Sequence, residues 1–175
     1  MTLKQLTQTL LRKYGIIQPI IIDLDGTIAD SSHRAAALPD GNIDLIHWRE
    51  NSTPDKIALD KLLPLATYIK KLSLSETVIP IICTARVMSR ADYDWLDAND
   101  ISYAYIISRR EGDTTPDATL KILALKNLAA KMGLSWKLFC AVSHGFDDNQ
   151  SVLSLYKKHN ISYTNAKFYN VEATA

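Results

Sequence analysis

Two aspartates at positions 23 and 25 are the side chains best suited to chemistry in this 175-residue chain, because they close an apolar run and precede Gly26 and Thr27. Two carboxylates this close repel one another when ionised, so a divalent cation such as Mg²⁺ is their natural counter-charge. With a cation present, Asp23 can attack phosphorus as a nucleophile, while Asp25 protonates the leaving oxygen and later deprotonates water. Gly26 permits a sharp turn that the Thr27 hydroxyl can fasten. The alternative is a capped strand-to-turn junction without chemistry.

The Asp-Leu-Asp-Gly-Thr stretch after an apolar strand resembles the first motif of the haloacid dehalogenase (HAD) superfamily phosphatases. A second motif of that superfamily is a strand ending in Ser or Thr, and here the run "VIPIIC" leads into Thr84. The Thr84 hydroxyl can bind a phosphoryl oxygen, and Arg86 can add a fork of donors to the same group or to a neighbouring phosphate. A threonine that leads into a helix and a solvated arginine are the competing interpretations.

The stretch "RREGDTTPDATLK" ends in Lys121, which lies in the early turns of a predicted helix and can neutralise a nucleophile and a transferring phosphoryl group. Asp117, four residues earlier, can hold this lysine by an ion pair, and an exposed helical pair is the plainer alternative. The stretch is similar to one in the phosphatase domain of bacteriophage-type polynucleotide kinase/phosphatase, and the resemblance implies that Asp117 and Lys121 belong to the active site. It implies the same for Arg34, which lies eleven residues beyond Asp23.

Asp147 and Asp148 supply the acidic pair that HAD enzymes place after the fourth strand for metal binding. The resemblance therefore implies a Mg²⁺ site formed by Asp23, Asp25 and this pair, with Asp148 as a direct ligand and Asp147 in support. Ser-His-Gly intervenes between the preceding apolar run and the pair, so we expect the pair to lie on a displaced loop. A helix N-cap is the competing role for these carboxylates.

Strand and helix patterns alternate along the chain, which predicts an α/β fold: a three-layer, Rossmann-like parallel sheet with helices on both faces. Apolar β-rich runs predict strands at residues 20–24, 78–83, 103–107, 138–142 and 162–168. Capping signals predict helices over residues 53–72 with a kink at Pro64, from Ser89 toward Asn99, and from Thr115-Pro116 to a terminal glycine at 133. Ligands bind at the carboxyl ends of strands in such sheets, where the motif residues are expected to meet.

We expect one domain over residues 1–175, with an amphipathic helix within residues 1–16 and a minimal cap at residues 31–52. The amino-terminal helix can pack on the domain or form a homodimer with a second subunit. Trp48 in the cap can stack on a nucleobase or pack within its loop, and the substrate-binding set is then Arg34, Arg86, Asp117 and Trp48. No GxxxxGK[ST] loop is present, so a kinase activity is not expected.

The net charge of +1 disfavours tight binding of long nucleic acids. Two cysteines inside apolar runs, the lack of an 18-residue apolar stretch and the lack of a signal-peptide centre predict buried thiols in a cytoplasmic protein. The sequence thus predicts a Mg²⁺-dependent phosphomonoesterase that acts on nucleotides or on polynucleotide 3′-phosphate ends. A phosphatase for another small metabolite and a non-catalytic HAD-like binding module are the alternatives.

Overall fold

A five-stranded parallel sheet lies at the centre of the computed structural model, which describes residues 18–39 and 43–173. The strands are β1 (Gln18–Ile22), β2 (Ala29–Asp30), β3 (Lys61–Leu62), β4 (Val78–Cys83), β5 (Tyr105–Ile107), β6 (His144–Asp147) and β7 (Ser162–Asn165). The large sheet has the order β5-β4-β1-β6-β7, so β1 occupies its middle. The short strands β2 and β3 pair separately in an antiparallel arrangement.

Helices cover both faces of the large sheet. They are α1 (Leu45–Glu50), α2 (Pro54–Ile57), α3 (Pro64–Ser73), α4 (Arg90–Ala98), α5 (Asp117–Lys131), α6 (Trp136–Val142), α7 (Gln150–Lys158) and α8 (Ala166–Glu172). Alternate residues of β1 point to opposite faces: Ile20 and Ile22 pack with α3, α4 and α8, and Ile21 packs with α5, α6 and α7. The predicted three-layer α/β fold is therefore confirmed.

The predicted strand at residues 138–142 is wrong, because this run lies in helix α6. Ser135 caps the helix by accepting a hydrogen bond from the Leu138 backbone N–H, and Phe139, Cys140 and Val142 are buried. A short apolar run satisfies a buried strand or a buried helix equally well, so periodicity alone could not separate them. The strand is β6, which ends at Asp147, so the acidic pair does not lie on a displaced loop.

Strand β6 carried little sequence signal because its sequence, His-Gly-Phe-Asp, is poor in β-branched residues. Gly145 is required here by close packing: a Cβ at this position would lie 2.5 Å from Cε2 of Tyr156. The buried tyrosine ring of α7 therefore rests directly on the strand backbone.

The predicted helix over residues 53–72 is two helices, α2 and α3, with β3 between them. Pro64 begins α3 rather than kinking a longer helix, since a proline is well placed in a first turn. The run at 162–168 also divides, because the Asn165 side chain accepts a hydrogen bond from the Lys167 N–H and starts α8. The helices predicted from Ser89 and from residues 115–116 are present as α4 and α5.

The segment at residues 31–60, called the insert below, connects β2 to β3 and carries a 3₁₀ turn (Ser32–Arg34), α1 and α2. Both cysteines are buried free thiols, as expected. In the part of the chain that the structure describes, no helix has the length and apolar character needed to cross a membrane. The predicted amino-terminal helix, and with it the predicted dimer contact, lies outside the described residues.

Candidate active site

Three neighbouring strands deliver polar side chains to one edge of the sheet. Asp23 follows β1, Thr84 follows β4, and Asp147 ends β6. The Asp23 N–H donates to the carbonyl of Phe146 at 3.0 Å, and the Thr84 N–H donates to that of Ile107 at 2.9 Å. These bonds extend the sheet pairing to the motif residues, so their positions are fixed by the backbone. The structure thus brings the residues together at the carboxyl edge, where ligands bind in such sheets.

Lys121 bridges two of the buried carboxylates. Its ammonium lies 2.8 Å from Asp23 Oδ1 and 2.8 Å from Asp147 Oδ2. Burial by itself would lower the pKa of Lys121, but the charges of Asp23 and Asp147 outweigh burial and raise it. The lysine is therefore a permanent cation beside the predicted nucleophile.

Asp23, Asp147 and Asp148 form an acidic group in which each residue offers an oxygen within 4.8 Å of the others. Burial raises the pKa of Asp23 to about 7, with further contributions from the charges of Asp147 and Asp25 and opposition from Lys121. Burial and the Asp23 charge raise the pKa of Asp148 to about 6. The site therefore holds more negative charge than its lysine offsets.

This acidic group fits Mg²⁺, which prefers hard oxygen ligands and would relieve the mutual repulsion of the carboxylates. Both oxygens of Asp147 already accept protein hydrogen bonds, one from Lys121 and one from the Asn149 N–H. Asp148 is only partly buried. This difference favours the predicted roles, in which Asp148 is the direct ligand and Asp147 supports it.

Gly26 makes room for Asp148. The glycine has a φ of +69°, and a Cβ added to it would lie 2.5 Å from Asp148 Oδ2. The turn of the first motif therefore packs against Asp148 of the acidic pair, at a backbone position that only glycine suits.

The Asp25 carboxylate lies outside the acidic group that Asp23, Asp147 and Asp148 form within the described chain. Arg86 binds it with two donors, Nε at 2.8 Å and Nη2 at 2.6 Å, and the Ser31 hydroxyl donates to Oδ1. Burial tends to raise the pKa of Asp25, but the charge and hydrogen bonds of Arg86 lower it overall. The guanidinium of Arg86 therefore supplies a counter-charge for this carboxylate.

The arginines predicted to contact substrate are both buried, with Arg34 1% and Arg86 5% exposed. Arg34 binds Asp60 through two donors and Ser52 through a third. Trp48 lies against Arg34, whose guanidinium carbon is 4.2 Å from the centre of the indole ring. In this arrangement Arg34 and Arg86 organise protein carboxylates, and one role of Trp48 is to pack on Arg34.

The predicted ion pair between Asp117 and Lys121 is wrong. Asp117 accepts a hydrogen bond from Arg109 Nη2 at 2.5 Å instead, while Lys121 reaches Asp23. Arg109 also donates to the carbonyls of Ala85, at 3.0 Å, and Thr115, at 2.7 Å. Asp117 therefore helps to fix the loop before α5 to the loop after β4.

Among the residues that the structure describes, the Thr27 hydroxyl has no hydrogen-bond partner, so it does not fasten the turn as predicted. The turn is held by backbone hydrogen bonds to the Leu24 carbonyl and by Asn170, whose side chain donates to the Thr27 carbonyl at 3.0 Å. Thr84 Oγ1 accepts a hydrogen bond from the Arg86 N–H, and its own O–H can still donate to a phosphoryl oxygen.

Sequence reasoning missed Asp60, Asp92, Arg109 and Asn170. Arg109 is the first residue of the stretch "RREGDTTPDATLK", so the sequence alone could have indicated it. Asp92 stood in a capping box with Ser89, where it binds that residue's N–H and hydroxyl as well as Arg86. Asp60 had no local signal at all.

Solved structures of other proteins have the same α/β fold as this chain. A chain of the Pnkp1/Rnl/Hen1 RNA repair complex is similar over 85% of this chain and 42% of its own length, with a TM-score of 0.54 and 18% identity. A HAD family enzyme from Bacteroides thetaiotaomicron, solved as an aspartate-to-alanine mutant with magnesium and inorganic phosphate, is similar over 85% of this chain and 93% of its own, with a TM-score of 0.51 and 12% identity. The likeness to these structures shows that this chain has the fold of the HAD family enzymes, which the resemblance of its motifs implied.

A family model described as bacteriophage T5 5′-deoxynucleotidase matches residues 8–173, so the chain belongs to that family. The 5′-deoxynucleotidase of Escherichia phage T5 is 40% identical over 98 residues, which cover 54% of this chain. The match covers 40% of the phage protein's length.

Proposed function

We propose that this chain is a Mg²⁺-dependent phosphomonoesterase that hydrolyses nucleotides, with deoxynucleoside 5′-monophosphates as its preferred class. The observation that carries the proposal is the convergence of Asp23, Lys121 and the acidic pair at the carboxyl edge of the sheet. The family's description as a 5′-deoxynucleotidase favours a 5′-phosphate on a deoxynucleoside over a polynucleotide 3′-phosphate. Magnesium and phosphate in the HAD relative from Bacteroides support the choice of metal.

In the first step, Asp23 attacks the phosphorus of the ester. A bond forms between its carboxylate oxygen and phosphorus, the bond to the ester oxygen breaks, and Asp25 gives a proton to the departing alkoxide. Lys121 offsets the negative charge of the transferring group, and the Thr84 hydroxyl can donate to one of its oxygens. Bound Mg²⁺ would supply further positive charge through Asp23, Asp147 and Asp148.

In the second step, water attacks the aspartyl-phosphate and Asp25 takes its proton, which releases inorganic phosphate and restores Asp23. Arg86 keeps the pKa of Asp25 low in the free protein, and an ionised Asp25 suits this role as base. The negative phosphate of the bound substrate raises the proton affinity of a neighbouring carboxyl group, which favours the acid role in the first step.

Release of phosphate from a panel of 5′- and 3′-phosphorylated nucleosides and oligonucleotides, with Mg²⁺ and with EDTA, tests the proposal. We expect hydrolysis of deoxynucleoside 5′-monophosphates that EDTA stops and that Asp23→Asn removes, because the amide keeps the shape but is no longer a nucleophile. Asp94→Asn, which removes a carboxylate of an exposed ion pair on α4, is the matched control and should retain full activity.

The other outcomes separate the alternatives. Full activity of Asp23→Asn would reject the covalent mechanism. Turnover of sugar or aryl phosphates without turnover of nucleotides would indicate a different metabolite. No hydrolysis of any panel member in the presence of Mg²⁺ would favour a binding module.

A further inference from the structure

Asp60 lies in the insert, between α2 and β3, and its side chain is completely buried between two arginines. Its Oδ2 accepts hydrogen bonds from Arg34 Nη2 at 2.9 Å and from Arg86 Nη2 at 3.0 Å, and its Oδ1 accepts one from Arg34 Nε at 2.9 Å. Trp95 in α4 anchors the same residue through a hydrogen bond from its indole N–H to the Asp60 carbonyl at 2.9 Å. Asp60 is therefore held in place from both the insert and the sheet side.

Arg86 connects Asp60 to the chemistry. Its Nε and Nη2 donate hydrogen bonds to the Asp25 carboxylate. Its Nη1 donates to Asp92 at 2.8 Å, and Nη2 also donates to Asp60. A guanidinium is planar and rigid, so three carboxylates around it fix both its position and its plane. The fixed guanidinium of Arg86 then orients the Asp25 carboxylate.

We infer that Asp60 is a positioning residue: by binding Arg86, it makes the insert responsible for the orientation of Asp25. This inference rests on the proposed function, because it assigns Asp25 the acid and base role described above. The Asp25 side chain is 32% exposed, and its carboxylate accepts two hydrogen bonds from Arg86 and one from Ser31. A looser Arg86 would therefore remove most of the restraint on this side chain and let it turn toward solvent. A misplacement of about 1 Å in a reacting group is enough to cost roughly a hundredfold in rate.

The leaving group separates this role from simple structural support. An alkoxide needs a proton as it leaves, whereas a dinitrophenolate does not, so a misplaced general acid slows nucleotide hydrolysis selectively. For Asp60→Asn we expect kcat/KM on a deoxynucleoside 5′-monophosphate to fall by about tenfold or more and kcat/KM on 2,4-dinitrophenyl phosphate by less than about threefold. Asp25→Asn should show the same pattern with a larger fall, on the order of 10² to 10⁴.

Asp60→Asn leaves Arg34 buried without its carboxylate, which threatens folding. The double variant Asp60→Asn/Arg34→Gln removes both charges, keeps two amides in place of the ion pair, and should show the same selectivity. Ile69→Ala, which creates a cavity in the apolar core beneath α3, is the control for lost stability. Urea unfolding would show whether Ile69→Ala loses as much stability as the Asp60 variants. If it does, we expect kcat/KM of Ile69→Ala to change by the same factor on both esters.

Equal falls on both esters, or no fall on either, would overturn the inference. A crystal structure of the double variant provides a readout that does not depend on activity: we expect Arg86 no longer to bind Asp25 through two donors. An unchanged Arg86–Asp25 pair would also overturn the inference. If the wild-type protein hydrolyses neither ester, the proposed function has failed, and the crystal structure still decides whether Asp60 positions Arg86.

Discussion

Replacing Gly26 by alanine tests whether the close contact between the first and last motifs holds Asp148 where the site needs it. The substitution does two things at once. It places a side chain on a residue with φ of +69°, and it places a Cβ 2.5 Å from Oδ2 and 2.8 Å from Cγ of Asp148. The first effect acts on stability, and the second acts on the acidic group.

The two effects differ in size and in the quantity they change. A left-handed backbone costs a residue with a side chain about 1 to 2 kcal/mol, which for a chain of this length lowers Tm by about 2 to 8 °C. An ordinary contact begins near 3.4 Å, so the Asp148 carboxylate must move by about 0.9 Å, the difference between 3.4 and 2.5 Å. A displacement of this size at a reacting centre costs roughly a hundredfold in kcat/KM.

Gly133→Ala is the matched control, because Gly133 has a φ of +70° but no atom of the described part of the chain lies within 4 Å of the added Cβ. Thermal unfolding and nucleotide hydrolysis at several Mg²⁺ concentrations would be measured for both variants. We expect similar losses of Tm, full activity for Gly133→Ala, and a loss of activity for Gly26→Ala with a higher Mg²⁺ requirement.

Full activity and an unchanged Mg²⁺ requirement in Gly26→Ala would refute the reasoning. The position of Asp148 beside the Gly26 turn would then have no bearing on the proposed Mg²⁺ site. A fall in activity for both glycine variants would show that backbone strain alone accounts for the effect.

Two further substitutions test the stacking role of Trp48 and the packing of Gly145. Trp48→Ala should raise KM for nucleotides more than for phenyl phosphate, by a factor that corresponds to about 1 to 3 kcal/mol of base stacking; equal increases for both substrates would leave Trp48 only its packing on Arg34. Gly145→Ala should lower the free energy of unfolding by about 1 to 3 kcal/mol because its Cβ would lie 2.5 Å from the buried ring of Tyr156, and an unchanged Tm in thermal unfolding would contradict this packing.

The first motif shows how far local patterns reach. An apolar run followed by Asp-x-Asp-Gly-Thr predicts a strand end, a sharp turn and an acidic site, and the structure has Asp23 after β1 and Gly26 at positive φ. Ser89 before α4 and the glycine after α5 likewise predict helix ends from interactions within one turn. Each of these signals comes from interactions between residues that are close in the chain, so it can be recognised in the sequence.

Strand β6 and the partners of the charged residues show where local patterns stop. The apolar run at residues 138–142 fits a strand as well as a helix, but it lies in α6. Gly145 is a poor strand residue by its propensity, and only the folded structure shows that Tyr156 packs on it and requires a glycine. Lys121 had a carboxylate four residues away in Asp117, yet its ammonium binds Asp23 and Asp147 from other elements. A buried charge binds whichever opposite charge the packing of helices and strands brings to it.

The sequence by itself determined the alternation of elements, the HAD motifs and the identity of the acidic residues, because periodicity, capping and turn chemistry act between neighbours in the chain. Only the tertiary structure decided that Arg86 binds Asp25 across 61 positions and that Asp60 joins this arginine to Arg34 across 26. These contacts depend on how layers pack, and no spacing along the chain encodes the distance between two side chains that meet in the folded interior.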